Sequence, residues 1–336
     1  MGNLSIPAPY ILWFTVLLNR KATLDTIRSS TRKLAASITM EASKQTYFTM
    51  RFLADRERIT QAFQVYAYFR WVDDRLDLEL NTRMERLRFV ARQQSLLTAL
   101  SAGETVGSLA PEETMLAELI ASDPAPESGL HSYLRHMMAV MTFDAQRRGR
   151  LISQAELELY SHHLAVAVTD VLHYLIGHGQ RSPQDGTRYA AATAAHIAHM
   201  LRDTREDVEA GYFNIPREVL RSAHIGPRDV EHPAYRAWVR ERVLLAREQF
   251  RVGRTYLSRV ESLRCRLAGH TYINRFVSVL SLIERDEYLL RPHYPSRKTL
   301  GGLATFAGSL LTSLMTNPGQ QPAPVRLPAA SPRENP

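Results

Sequence analysis

Tyr66-Ala67-Tyr68-Phe69-Arg70-Trp71-Val72-Asp73-Asp74-Arg75-Leu76-Asp77 is the stretch that decides how this chain folds. Positions 66, 70, 73 and 77 are four, three and four apart, so the spacing predicts one helical face carrying Tyr66, Arg70, Asp73 and Asp77. Val65, Phe69, Trp71 and Val72 frame that face with side chains that favour burial. A second stretch, His196-Ile197-Ala198-His199-Met200-Leu201-Arg202-Asp203-Thr204-Arg205-Glu206-Asp207, puts His196, His199, Asp203 and Asp207 on one face by the same rule. Carboxylates one turn apart can share a hard cation such as Mg²⁺, whose other positions accept phosphate oxygens, and a flanking Arg can bind phosphate directly. One Asp pair beside an Arg is commonly a solvated face with salt bridges. The repetition gives the pattern its weight, because two such helices facing each other would surround a metal-bound polyphosphate.

Working outward, the pattern from about Leu24 to Leu290 is helical almost throughout, with apolar residues three and four apart and abundant Ala, Leu, Arg and Glu. Breakers at Ser101 to Pro111, Asp123 to Pro126, Gly177 to Gly186 and Ile225 to Pro227 predict the connections. The expected architecture is all-α: one domain over residues 43–298 with eight to ten helices, preceded by a helical extension over 1–42. A chain of 336 residues, 45% hydrophobic and 23% charged, can bury a large core and is neither collagen-like nor wholly disordered. Cys265 is the single cysteine, which rules out an internal disulfide or a cysteine-based zinc cluster and makes a reducing, cytoplasmic setting the expectation.

The net charge of +8 suits a polyanionic partner. Its Arg residues are dispersed rather than interleaved with aromatics on one stripe, so no nucleic-acid partner is expected. No GxxxxGK[ST], GxGxxG or GxSxG occurs, and the adjacent His162 and His163 point in different directions, which leaves nucleotide-loop and Ser-triad chemistry without support. The apolar run Ile11 to Leu18 lacks a preceding basic residue and is shorter than the ~20 residues of a bilayer span. Residues 299–316 are apolar and follow Arg297-Lys298, so peripheral membrane contact is expected there; the Pro-rich tail, 317–336, is expected to be disordered.

The two stretches together resemble the squalene/phytoene synthases, which join prenyl diphosphates head to head. Tyr66 to Asp77 is similar to the family's YxxxRxxDDxxD motif, and Leu201 to Asp207 followed by Gly211 and Asn214-Ile215-Pro216 is similar to its LRDxxED segment. Ser43-Lys44-Gln45-Thr46-Tyr47 with Arg51, Asp144, and Tyr160-Ser161-His162-His163-Leu164-Ala165 match further pieces. The resemblance implies an isoprenoid-synthase helical bundle with a central apolar cavity. It assigns Asp73, Asp77, Asp203 and Asp207 to Mg²⁺, with Mn²⁺ as an alternative ion. By the same similarity Ser43, Lys44, Arg70 and Arg202 bind diphosphate, and Tyr66 and Tyr160 stand with Arg70 at the reacting carbons. The implied reaction condenses two farnesyl or geranylgeranyl diphosphates through a cyclopropyl diphosphate to a squalene-like or phytoene-like product. NADPH as a co-reductant, substrate length and oligomeric state stay open.

The chain departs from the family pattern at His199, where Asn is usual and contributes to metal binding, and at His196, where Gln is usual. His199 is accordingly a candidate metal ligand, whose pKa neighbouring carboxylates are expected to raise. Val166 and Thr169 replace small Gly positions and are expected at the cavity, with Met50 and Val168 as candidates for its floor. These departures keep two alternatives in view: a terpene synthase that ionises and cyclises a single prenyl diphosphate, and a non-catalytic relative that binds or assembles.

Overall fold

A computed structural model describes residues 29–294; the segments at 11–18, 299–316 and 317–336 lie outside that range. Among the described residues the chain forms eleven α-helices and no strand. They are α1 (29–42), α2 (Lys44–Leu53), α3 (Ile59–Asp74), α4 (Arg83–Ser101), α5 (Pro111–Ser122), α6 (Gly129–Arg147), α7 (Gln154–Leu175), α8 (Ala190–Ala210), α9 (Arg217–Ala223), α10 (Pro233–Ser258) and α11 (Leu263–Arg285). Ten of them, α2 to α11, fall within residues 43–298, inside the expected eight to ten, and α1 lies in the expected extension; α9 is only seven residues long.

Each expected break separates two helices, and local chemistry fixes the boundaries. Thr82 and Ser153 open α4 and α7 with capping boxes, each accepting the N–H of a Glu three residues on, which reaches back to the cap. Pro111 and Pro233 sit in the first turns of α5 and α10, where a missing N–H costs nothing. Gly211 ends α8 at φ 89°, a left-handed cap that a side chain would strain.

Packing brings α6 onto α7, α8 onto α10 and α11, and α3 onto α5. At the α8–α10 crossing a Cβ on Gly253 would stand 2.7 Å from the Ala191 Cβ, so the helices approach through this glycine. One continuous core of Leu, Ile, Val, Met and aromatic side chains runs through the bundle. Leu201, fully buried on α8 directly beside the second aspartate motif, belongs to it; truncating such a residue to Ala costs about 2–5 kcal/mol. α1 packs Ala35 against Phe63, Ala67 and Met115 of α3 and α5, so the last third of the expected extension is part of the bundle.

Candidate active site

Helix α3 ends at Asp74, the second residue of the Asp73-Asp74 pair, and Arg75–Glu79 continues as a single π turn. This corrects the expectation of an uninterrupted α-helix to Asp77. A π turn widens the spiral, a geometry found mostly at functional sites. Asp77 nevertheless reaches the same cavity as Asp73.

That cavity, of about 410 Å³, gathers Tyr66, Arg70, Asp73 and Asp77 from the first stretch and His196, His199, Asp203 and Asp207 from the second. Tyr160 of α7 also lines it. Phe69, Tyr133, Met137, Val140, Met141, Leu164 and Met200 supply its apolar wall. Met50, Val166, Val168 and Thr169 are not among its lining residues; Met50 packs into the core and Val166 and Thr169 are buried on α7. Those four positions were expected from their places in the sequence, whereas the wall is built mainly by α6, with Phe69 of α3, Leu164 of α7 and Met200 of α8.

The side chains meant for diphosphate are disposed unequally. Arg70 donates through Nε to Asp74 Oδ2 at 3.0 Å, holds the other Asp74 oxygen through Nη2, and lies 3.7 Å from Asp73. Arg202 grips Asp203 with two bonds of 2.6 and 2.7 Å. Ser43 caps α2, its hydroxyl accepting from the Thr46 N–H, and Lys44 is exposed in the first helical turn. Neither Ser43, Lys44 nor Arg202 lines the cavity itself.

Sequence reasoning missed the support behind the second motif. Arg147 is buried and donates to Asp144 at 2.6 Å and to Asn214 Oδ1 at 2.7 Å, while Asn214 donates to Asp207 at 2.8 Å. Tyr160 donates its hydroxyl to the other Asp144 oxygen at 3.1 Å. Tyr212 crosses to the first motif and donates to Asp77 at 2.7 Å. Only the Asp144–Arg147 pair had a local helical signal, three residues apart; Asn214 reaches Asp207 from beyond the end of α8, and the other bonds join different helices. Arg275 of α11 was also missed. It stands near Arg202, Tyr66 and Asp203 with its guanidinium over Phe276, and makes no ion pair among the described residues.

Crowding carboxylates in a cleft sets their protonation. Burial, followed by Asp77 and Asp144, pushes Asp73 up to about 7 against the opposing pull of Arg70. Burial likewise lifts Asp207 to about 7, with Asp203 and Asp144 adding to it and Arg147 opposing. Asp144 is raised mainly by burial despite Arg147. Burial raises the Tyr160 phenol far above its ordinary range and lowers His196 to about 3, so both side chains are neutral at physiological pH. His199 also shifts downward: burial is the main cause, Arg202 and Arg275 add to it, and Asp203, whose Oδ2 lies 3.3 Å from Nε2, opposes. The expected upward shift is therefore corrected, because cations on α8 and α11 and the site's desolvation outweigh the single carboxylate. The ring is more than half exposed by surface area, yet the surrounding atoms are dense enough for burial to lead.

The donor set suits a hard divalent cation, since oxygen ligands predominate and the carboxylates' mutual repulsion calls for positive charge. Among the described residues no three His, Cys, Asp or Glu side chains converge to enclose an ion by themselves. The aspartate pairs thus fit ions whose coordination is completed by substrate and water.

Comparison with known proteins agrees. The squalene/phytoene synthase family model matches residues 39–300. The chain belongs to that family. A presqualene diphosphate synthase of Zymomonas mobilis is 30% identical over 201 residues, which is 58% of this chain and 64% of that relative. Among solved structures, a dehydrosqualene synthase in complex with ligand superposes with TM-score 0.67 at 16% identity, covering 84% of this chain and 96% of that one. A squalene synthase from Alicyclobacillus acidocaldarius gives 0.62 at 20% identity, covering 79% and 97%. At these identities the structural likeness establishes the fold, the all-helical isoprenoid-synthase bundle. Members of that family are prenyltransferases of isoprenoid biosynthesis and are typically Mg²⁺-dependent.

Proposed function

We propose that the protein condenses two prenyl diphosphates head to head through a cyclopropyl diphosphate and releases diphosphate. The observation that carries this is the meeting of two aspartate pairs, from α3 with its π turn and from α8, over one cavity with an apolar wall. The presqualene diphosphate synthase among its relatives supports the cyclopropyl route. Asp73 with Asp77, and Asp203 with Asp207, hold the metal ions. Bound Mg²⁺ supplies positive charge that offsets the diphosphates and eases departure of the leaving group.

The chain's own residues do the rest. Arg275, which makes no ion pair among the described residues, and Arg202, once drawn from Asp203, bind diphosphate oxygens. Phe69, Tyr133 and Tyr160 present aromatic faces to the allylic cation, and Met137, Met141, Leu164 and Met200 keep water from it. Tyr160 stays a neutral phenol bonded to Asp144, so it does not trap the cation as phenoxide. Incubation with labelled farnesyl and geranylgeranyl diphosphates and Mg²⁺, with and without NADPH, tests the proposal. Products of doubled carbon number are expected; a cyclic hydrocarbon or alcohol from one substrate, or no diphosphate release, overturns it.

A further inference from the structure

On the outside of α2 two phenylalanines stand in solvent. Phe48 is 47% and Phe52 72% exposed, one helical turn apart, and their rings stack with centroids 6.1 Å apart and planes 13° off parallel. The opposite side of α2 is firmly seated: Tyr47 stacks on Phe63 at 4.8 Å and Leu53 enters the core. Phe48 and Phe52 are therefore held outward by a fixed helix. At the C-terminal end of α2, Arg264 contacts the Leu53 and Ala54 carbonyls, and its neighbour Leu263 is itself 42% exposed. Exposed aromatics in such a group are costly in water and mark an interaction surface.

The charge around the pair selects the partner. Helix α2 carries no acid, and along α1, α2 and the turn after them exposed Arg32, Lys33, Lys44, Arg51 and Arg56 outnumber exposed Glu41 and Glu57. Asp55 is buried and neutralised by Arg264. Lys44, one turn before Phe48, and Arg51 share the exposed face of the two phenylalanines, the composition of a helix that lies in the headgroup region of an anionic bilayer. We infer that α2 docks the protein on an anionic lipid surface through Phe48 and Phe52. No described helix is long and apolar enough to cross a membrane, so the contact is peripheral. The inference rests on this surface and is independent of the reaction proposed above.

The test is sedimentation of the full chain with vesicles of phosphatidylcholine, alone and mixed with phosphatidylglycerol. The wild type binds the mixed vesicles, and salt weakens the binding. Phe48→Ser with Phe52→Ser lowers partitioning about tenfold or more, while Arg51→Glu has a smaller, salt-sensitive effect. Because Cys265 is buried, Phe52→Cys offers a single accessible thiol for an environment-sensitive dye, whose emission shifts to the blue on mixed vesicles. That second reading covers the case in which the double variant misfolds. Absence of binding by the wild type overturns the inference. So does unaltered binding by a folded double variant, which assigns the membrane contact to another segment such as 299–316. A wild-type dimer that the double variant dissolves, with no vesicle binding, also overturns it and assigns the face to a second copy.

Discussion

The two aspartate motifs look alike as sequence and are built differently. The second sits on regular α8, ends at a left-handed glycine, and has its Asp207 tied through Asn214 and Arg147 to Asp144 and Tyr160. The first runs out of α-helix at Asp74 and finishes on a π turn; its Arg70, 40% exposed, clamps Asp74 one turn on, and Tyr212, just beyond the other motif, donates to Asp77. One half of the site is held by a buried network, the other by the half-exposed Arg70–Asp74 contact and one hydrogen bond from Tyr212. The difference teaches that equal motifs need not contribute equally to preorganisation.

The largest expected effect tests whether both halves are nonetheless required. Asp73→Ala and Asp203→Ala should each lower turnover by about a thousandfold or more, because each removes an anion that holds charge at the leaving group. Diphosphate release measures the rate, and circular dichroism should show an unchanged fold. A near-wild-type rate in one variant alone would break the symmetry and leave a single working pair.

Stability should separate the halves. Arg147→Ala leaves buried Asp144 without its cation, at a cost of about 3–5 kcal/mol, as for other broken buried pairs. Arg70→Ala removes a half-exposed contact and should cost less than about 1 kcal/mol. Urea unfolding gives both values. Equal costs would mean that the first motif is as rigidly supported as the second.

How far the site was legible follows from these contacts. Tyr66, Arg70 and Asp73, and the row from His196 to Asp207, were found because neighbours on a helix face are fixed by local geometry alone. Tyr212 on Asp77 and Asn214 between Arg147 and Asp207 join elements far apart in sequence, and periodicity says nothing about such partners. The π turn left no mark either, since the residues Arg75 to Glu79 would suit an α-helix equally well. The fold was more legible than the site, because caps and breakers such as Thr82, Ser153, Pro111 and Gly211 act where they stand. The cavity wall was misplaced onto Met50 and Val168 for the opposite reason: inward direction is set by how α6 and α7 pack.

Proton linkage offers a gentler probe. Asp73 and Asp207, lifted to about 7, bind more protons in the folded metal-free protein than in the unfolded chain. Their contribution to stability is therefore fully present near pH 4 and is lost as pH rises through about 7. In chelator, the melting temperature should fall between pH 5 and pH 7.5 more steeply for the wild type than for Asp73→Asn with Asp207→Asn. Mg²⁺ or Mn²⁺ with inorganic diphosphate should reverse the fall in the wild type only. Matching slopes in the wild type and the double variant would show that neither burial nor the neighbouring carboxylates raise these two groups.

The smallest effect concerns His199, the point at which the second motif departs from its family. Burial, with Arg202 and Arg275, holds its pKa below the ordinary value, so the ring is neutral at physiological pH and keeps a nitrogen lone pair to offer a cation. Imidazole is softer than an amide oxygen, which should tilt the site toward Mn²⁺ relative to Mg²⁺. Its Nε2 lies 3.3 Å from Asp203 Oδ2, so the ring nitrogen stands beside a carboxylate that would hold the metal. His199→Asn should reduce the Mn²⁺ preference a few-fold and flatten the loss of activity at acid pH, with kcat in Mg²⁺ changed least. Metal titrations at two pH values, followed by activity and by thermal shift in the presence of inorganic diphosphate, check both. An unchanged metal preference and pH profile would place His199 beside Asp203 as a neighbour only, leaving the aspartates as the site's sole metal ligands.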